Sequence, residues 1–154
     1  MKKLQIKIIF LDIDGVLNSR KSLANFKSLW QLSPNNISQL NRILEATNAK
    51  IVISSSWRLC REISSELESY LNNDCGIKGE IIGRTPAIGL SRRRGCEIAT
   101  WLEEWQGEPI DSFVILDDGS DMEPFMERLC QTSFEVGLTE QDADKAIKML
   151  NEYT

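Results

Sequence analysis

The stretch Ile6-Lys7-Ile8-Ile9-Phe10-Leu11-Asp12-Ile13-Asp14-Gly15-Val16-Leu17 decides how the rest of the chain is read. Its first half reads as a buried β-strand, because Ile8, Ile9, Phe10 and Leu11 leave no polar face. Its second half sets two carboxylates, Asp12 and Asp14, just past that strand. Both cannot point into an apolar core. Gly15 beside them suits a turn with positive φ.

Working outward, the same alternation of apolar runs and helical patterns continues. Ser33-Pro34 has the form of an N-cap followed by a first-turn proline, and Ile37, Leu40, Ile43 and Leu44 fall on one helical face behind it. Ile51-Val52-Ile53 is a second short buried strand. Leu59, Ile63, Leu67, Tyr70 and Leu71 predict a helix that stops near Asn72-Asn73 and Gly76. Glu80-Ile81-Ile82 is a weaker third strand, and Ile98, Trp101, Leu102 and Trp105 mark the next helix. Phe113 to Leu116 is a fourth strand, followed by a short helix over Glu123 to Leu129. Thr132 to Val136 reads as a fifth, edge-like strand, and a last helix runs from about Thr139 to Leu150. Strands alternating with helices of this length predict right-handed βαβ units and an α/β three-layer sandwich around a five-stranded, mostly parallel, Rossmann-like sheet.

Composition bounds the chemistry. At 154 residues a single domain spanning 1–154 is expected. A net charge of −5 argues against a broad positive surface for duplex DNA. The chain has no histidine, which removes Ser-His-Asp and Cys-His catalysis and His-ligated zinc. Cys60, Cys75, Cys96 and Cys130 form no Cys-x-x-Cys pair, so no zinc site is expected. Reduced thiols, and an apolar start too short for a signal core or a membrane span, fit a cytoplasmic protein without membrane attachment.

Ligands of such sheets sit beyond the carboxyl ends of the strands. There the first strand carries Asp12 and Asp14, the second Ser54-Ser55-Ser56-Trp57-Arg58, and the fourth Asp117-Asp118-Gly119-Ser120-Asp121. Each piece alone is an ordinary turn or cap. Together, in order and each directly after an apolar strand, they point to a site. Carboxylates brought together repel unless a cation joins them, and an all-oxygen set suits Mg²⁺ with a substrate phosphate.

In these motifs the chain resembles the haloacid dehalogenase superfamily of phosphohydrolases. Asp12-Ile13-Asp14-Gly15-Val16-Leu17 matches its first motif, Ile51 to Ser54 its second, and Phe113 to Asp118 its fourth. The third motif, a basic residue near the start of the helix before the fourth strand, has Arg92, Arg93 and Arg94 as candidates, with Arg94 favoured for its place beside Glu97-Ile98. The tract from Ser54 to Arg58, with Arg94 to Leu102, further resembles the phosphatase domains of RNA-repair proteins.

The resemblance implies a phosphatase in which Asp12 attacks phosphorus and Asp14 protonates the leaving oxygen, then activates water. It implies Mg²⁺ held by Asp12, the backbone carbonyl of Asp14 and an acid of the fourth strand: Asp118 directly, or Asp117. Asp121 is either a further ligand or the cap of the helix that follows it. Ser54, with Ser55 as fallback, and Arg94 are the expected phosphate ligands. Arg58 either reaches a second phosphate or the substrate backbone, or forms a surface ion pair with an acidic side chain. Trp57 reads as packing, and Trp30 as an aromatic able to stand over the site entrance. An acid at Asp14 favours phosphoester over carbon–halogen cleavage. Neither gap, Asn18 to Ser33 nor Trp57 to Arg94, has room for a large cap domain. An open site suits macromolecular substrates such as nucleic-acid ends or phosphoproteins. A catalytically silent phosphate-recognition module on the same fold is the alternative. A phosphoacceptor receiver domain places its acids on different strands, and the oligomeric state is not written in the sequence.

Overall fold

The computed structural model describes residues 4–88 and 93–152. Five parallel strands, β1 (Ile6–Leu11), β2 (Lys50–Ile53), β3 (Ile81–Arg84), β4 (Ile110–Asp117) and β5 (Leu129–Gln131), form one sheet in the order β3-β2-β1-β4-β5. The chain runs outward from β1 to β3, then crosses back to β4 on the other side of β1. That reversal opens a crevice at the carboxyl ends of β1 and β4. Among the described residues there is no inserted cap domain, and no helix is long and apolar enough to cross a membrane.

The strands are covered on both faces, as their unbroken apolar sequences require. Successive side chains point to opposite faces. Ile9 and Leu11 of β1 pack with Ile51, Ile53, Val114 and Leu116 beneath α2 (Pro34–Thr47) and α5 (Glu140–Asn151). Ile8 and Phe10 pack on the other face against Ile98 and Trp101 of α4 (Arg94–Glu104). The Phe10 and Trp101 rings meet edge to face at 5.5 Å.

Helix ends follow the capping signals. Ser33 accepts the Asn36 N–H at the start of α2, and Thr139 and Asp142 form a capping box on α5. The segment after the first strand carries a short helix, α1 (Arg20–Phe26), closed by a Ser19–Ser22 capping box.

Three expectations are corrected. No continuous helix joins Leu59 to Leu71; 3₁₀ turns at Ser56–Leu59 and Ser64–Glu66 lead into a brief α-turn, α3 (Leu67–Ser69), and a π-turn over Tyr70–Asp74. The side chain of Arg84 explains the break, since its guanidinium donates to the carbonyls of Arg58 and Ser64. The short helix over Glu123 to Leu129 is one 3₁₀ turn, Met126–Arg128. The fifth strand is Leu129–Gln131, not Thr132 to Val136. The buried Leu129 and Cys130 take the sheet edge. The carbonyls of Phe134 and Glu135 accept the first N–H groups of α1 instead.

Candidate active site

At the end of β1, Asp12 is 5% exposed. Its N–H donates to the Leu116 carbonyl, which locks the start of the loop to β4. Gly15 follows with φ of +82°, and a Cβ there would lie 2.3 Å from Oδ2 of Asp118. The turn thus needs glycine twice over, for its dihedral and for the carboxylate that leans across it. Thr132, beyond β5, donates its hydroxyl to the Gly15 carbonyl at 2.6 Å, and its N–H to the Asp117 carbonyl. The loops after β1, β4 and β5 are therefore one hydrogen-bonded unit.

This brings carboxylate oxygens of Asp12, Asp117 and Asp118 within 4.8 Å of one another. Burial, reinforced by the Asp117 carboxylate, pushes Asp12 up to about 8 against the opposing pull of Arg94. Burial also raises Asp117 above the ordinary carboxylate value. Acids crowded so closely resist sharing full charge, and a hard dication relieves that strain. The donor set, three carboxylates and no nitrogen or sulfur, fits Mg²⁺.

Arg94, the first residue of α4, reaches into this cluster. Its Nη1 lies 3.2 Å from both Asp12 and Asp117, and it also donates to the Ser54 carbonyl. Burial alone would lower its pKa, but Asp12 and Asp117 outweigh that, so the guanidinium stays charged. Gly95 lets the helix start close in, since a Cβ would strike the Glu123 carbonyl at 2.1 Å. Asp121 accepts the Arg94 N–H at 3.2 Å, so it caps α4, the helix before β4, and not the helix expected to follow it. Arg93 is exposed, and Arg92 lies outside the described residues.

Ser54, directly after β2, is wholly buried, and its hydroxyl oxygen has no hydrogen-bond partner among the described residues. A buried hydroxyl left unmatched is costly and calls for a ligand. Ser55 differs, because its hydroxyl accepts the Trp57 N–H as the cap of the following turn. A groove of about 390 Å³ runs past Ser56, Leu59, Arg94, Asp117 and Gly119.

Asp14, half-buried, stands beside Asp12 on the same loop. Its Oδ1 accepts two N–H donors, from Asn18 at 2.8 Å and from the indole of Trp57 at 3.0 Å. Trp57 is buried, and Trp30, 46% exposed, lies tilted against it at 4.7 Å between centroids. The aromatic of the first gap therefore stands one ring away from the contact to Asp14.

Arg58 does not extend toward a second phosphate, as one of its two expected roles required. Its side chain is 4% exposed and paired with Glu97 at 3.1 Å, while its other N–H groups donate to the carbonyls of Ser55, Thr85 and Pro86. The ion pair is a buried brace between the turn after β2 and α4, not a surface contact. Asn18, Thr132 and Glu97 escaped the sequence reading. Thr132 and Glu97 act through contacts to distant loops, and Asn18 through Asp14 and Gly15 within its own loop, none of which a period in the sequence announces.

Acids from two neighbouring strands, a hydroxyl from a third and a guanidinium from the helix before β4 converge on one crevice. Fold and site together define a haloacid dehalogenase (HAD) domain. More narrowly, the chain belongs to the family described as the HAD domain in Swiss Army Knife RNA repair proteins, which it matches over residues 8–143. No curated protein matches it.

Proposed function

We propose that this domain is a Mg²⁺-dependent phosphomonoester hydrolase working through an aspartyl-phosphate on Asp12. The observation that carries this reading is the convergence of Asp12, Asp117 and Asp118 beside Arg94 and the unpartnered Ser54 hydroxyl. Asp12, Asp118 and Asp117 with the Asp14 carbonyl would hold the metal, which supplies charge neutralisation for the phosphoryl oxygens.

The chain's own residues do the rest. A carboxylate needs no histidine to become a nucleophile, and Asp12 attacks phosphorus as the ester oxygen departs. Asp14 gives that oxygen its proton, then takes one from the water that releases phosphate. Ser54 Oγ and the Arg94 guanidinium donate to the non-bridging oxygens. The absence of a cap among the described residues leaves the crevice open. With the family's place in RNA repair proteins, that favours a phosphorylated nucleic-acid end as substrate over a small metabolite, with phosphoproteins as the other macromolecular class. The domain's four free cysteines fit action in the reducing cytoplasm.

Phosphate release from p-nitrophenyl phosphate and from phosphorylated oligoribonucleotides tests the proposal. Asp12→Asn is expected to lose on the order of 10⁴-fold or more in kcat, with its thermal melt intact. EDTA silences the wild type and Mg²⁺ restores it. Full activity in Asp12→Asn overturns the nucleophile assignment. Binding of a phosphorylated end without release at any divalent-metal condition makes the domain a silent recognition module.

A further inference from the structure

The second aspartate of the first motif is held on one side only. Oδ1 of Asp14 accepts from Asn18 Nδ2 at 2.8 Å and from Trp57 Nε1 at 3.0 Å, whereas Oδ2 has no donor among the described residues. The amide of Asn18 cannot be turned the other way. Its Oδ1 accepts the Gly15 N–H at 2.9 Å, and the second hydrogen of Nδ2 goes to the Leu29 carbonyl at 2.9 Å. Asn18 is wholly buried and saturated. Trp57 is equally fixed, clamped in the core with Trp30 over it. With two N–H donors aimed at it, Oδ1 has both of its acceptor sites filled, which favours placing a proton on Oδ2 instead.

We infer that Trp57 and Asn18 are positioning residues that hold Oδ1 of Asp14 as the acceptor-only oxygen and so make Oδ2 the oxygen that passes a proton to the leaving group. The inference rests on the reading of Asp14 as acid and base. In the step concerned, the bond between phosphorus and the ester oxygen breaks as the bond to an Asp12 oxygen forms. The proton on Asp14 Oδ2 moves to the departing oxygen, which leaves as an alcohol, and Asp14 becomes a carboxylate. Both N–H donors already face its other oxygen, so no side chain has to turn when the charge appears. Pre-aimed donors of this kind cost nothing at the moment of reaction. Trp30 packs against the Trp57 ring and helps to fix it in place.

Leaving groups read this function out directly. p-Nitrophenolate departs without a proton, whereas the alkoxide of an alkyl phosphate needs one. Trp57→Phe removes the N–H and keeps an aromatic ring in the core. The measured quantity is the ratio of kcat/KM on an alkyl ester to that on p-nitrophenyl phosphate. The alkyl ester is glycerol phosphate or a 3′-phosphorylated oligoribonucleotide, whichever the wild type turns over faster. Because both rates scale with the folded fraction, the ratio stays meaningful if the variant is less stable. Trp57→Phe is expected to lower the ratio by about tenfold or more, a part of the 10²- to 10⁴-fold that a positioned acid supplies. Asn18→Leu is expected to lower it in the same direction. An unchanged ratio in Trp57→Phe, with the wild type active on both esters, overturns the inference and leaves the phosphatase reading intact. Wild-type activity confined to the aryl ester also overturns it. No release by the wild type from either ester in Mg²⁺ overturns the phosphatase reading and this inference with it.

Discussion

Arg58 and Arg94 sit on neighbouring elements beside the same crevice, yet they are built for opposite ends. Arg94 is partly exposed and faces carboxylates that outnumber it, Asp12 and Asp117. Arg58 is sealed against Glu97 with its remaining donors spent on backbone carbonyls. Among the described residues only Nη1 of Arg94 is engaged, so on the proposed reading its other N–H groups are available to a substrate phosphate; a guanidinium whose partners are complete is scaffold. On the proposed reading, one residue type lining a single groove supplies both the chemistry and the frame that aims it.

The comparison breaks most visibly at Arg58. Arg58→Met strands Glu97 as a buried, unpaired carboxylate and is expected to cost about 3–5 kcal/mol of stability in chemical denaturation. Arg58→Met/Glu97→Leu is expected to recover part of that loss, because both charges go together while the carbonyls of Ser55, Thr85 and Pro86 still lose their donor. A folded Arg58→Met protein that lost phosphatase activity as steeply as an Arg94 variant would make Arg58 a substrate ligand after all. Arg94→Met is expected to lower kcat by about 10²- to 10³-fold, the usual effect of removing one donor to a developing oxyanion. Its melting temperature in Mg²⁺ should move little. A large destabilisation with unchanged kcat would reverse the roles.

The smallest effect sharpens the contrast with an outlying pair. Arg84 hydrogen-bonds Glu68 through Nε and Nη2 at 2.6 Å, and that bonding holds Glu68 below its ordinary value of 4.5. A carboxylate depressed on folding contributes stability above its unfolded pKa and loses it as pH falls through the folded value. Glu68→Gln should therefore be slightly less stable than wild type at neutral pH, with the difference closing well below pH 4.5. An equal difference at pH 3 and pH 7 would remove ionisation from the account.

How much of this was legible in the sequence follows from what kind of signal each feature leaves. β1, β2 and β4 were plain because fully buried strands have no polar face to blur them. Asp12, Asp117, Asp118 and Ser54 were plain because strand ends of a parallel sheet share one edge. The Leu59 to Leu71 helix misled because apolar spacing of three and four fits α-helix, 3₁₀ and π-turns alike over so short a run. What decides there is Arg84, far along the chain, claiming two carbonyls. Thr132 to Val136 has strand-like composition, but its carbonyls serve α1. Arg58 was readable as a basic residue near the site, not as a buried one, since its partner Glu97 sits within an ordinary amphipathic helix. Asn18 and Thr132 bridge loops and leave no period at all.

The close approach of Asp118 to the bare Cα of Gly15 gives the domain a weak point that carries no reactive group of its own. One added methyl there would claim the space now filled by the carboxylate and displace it, while Ser54 and Arg94 kept their places. On the proposed reading, a single codon at Gly15 could therefore dismantle the carboxylate cluster without changing any residue that reacts.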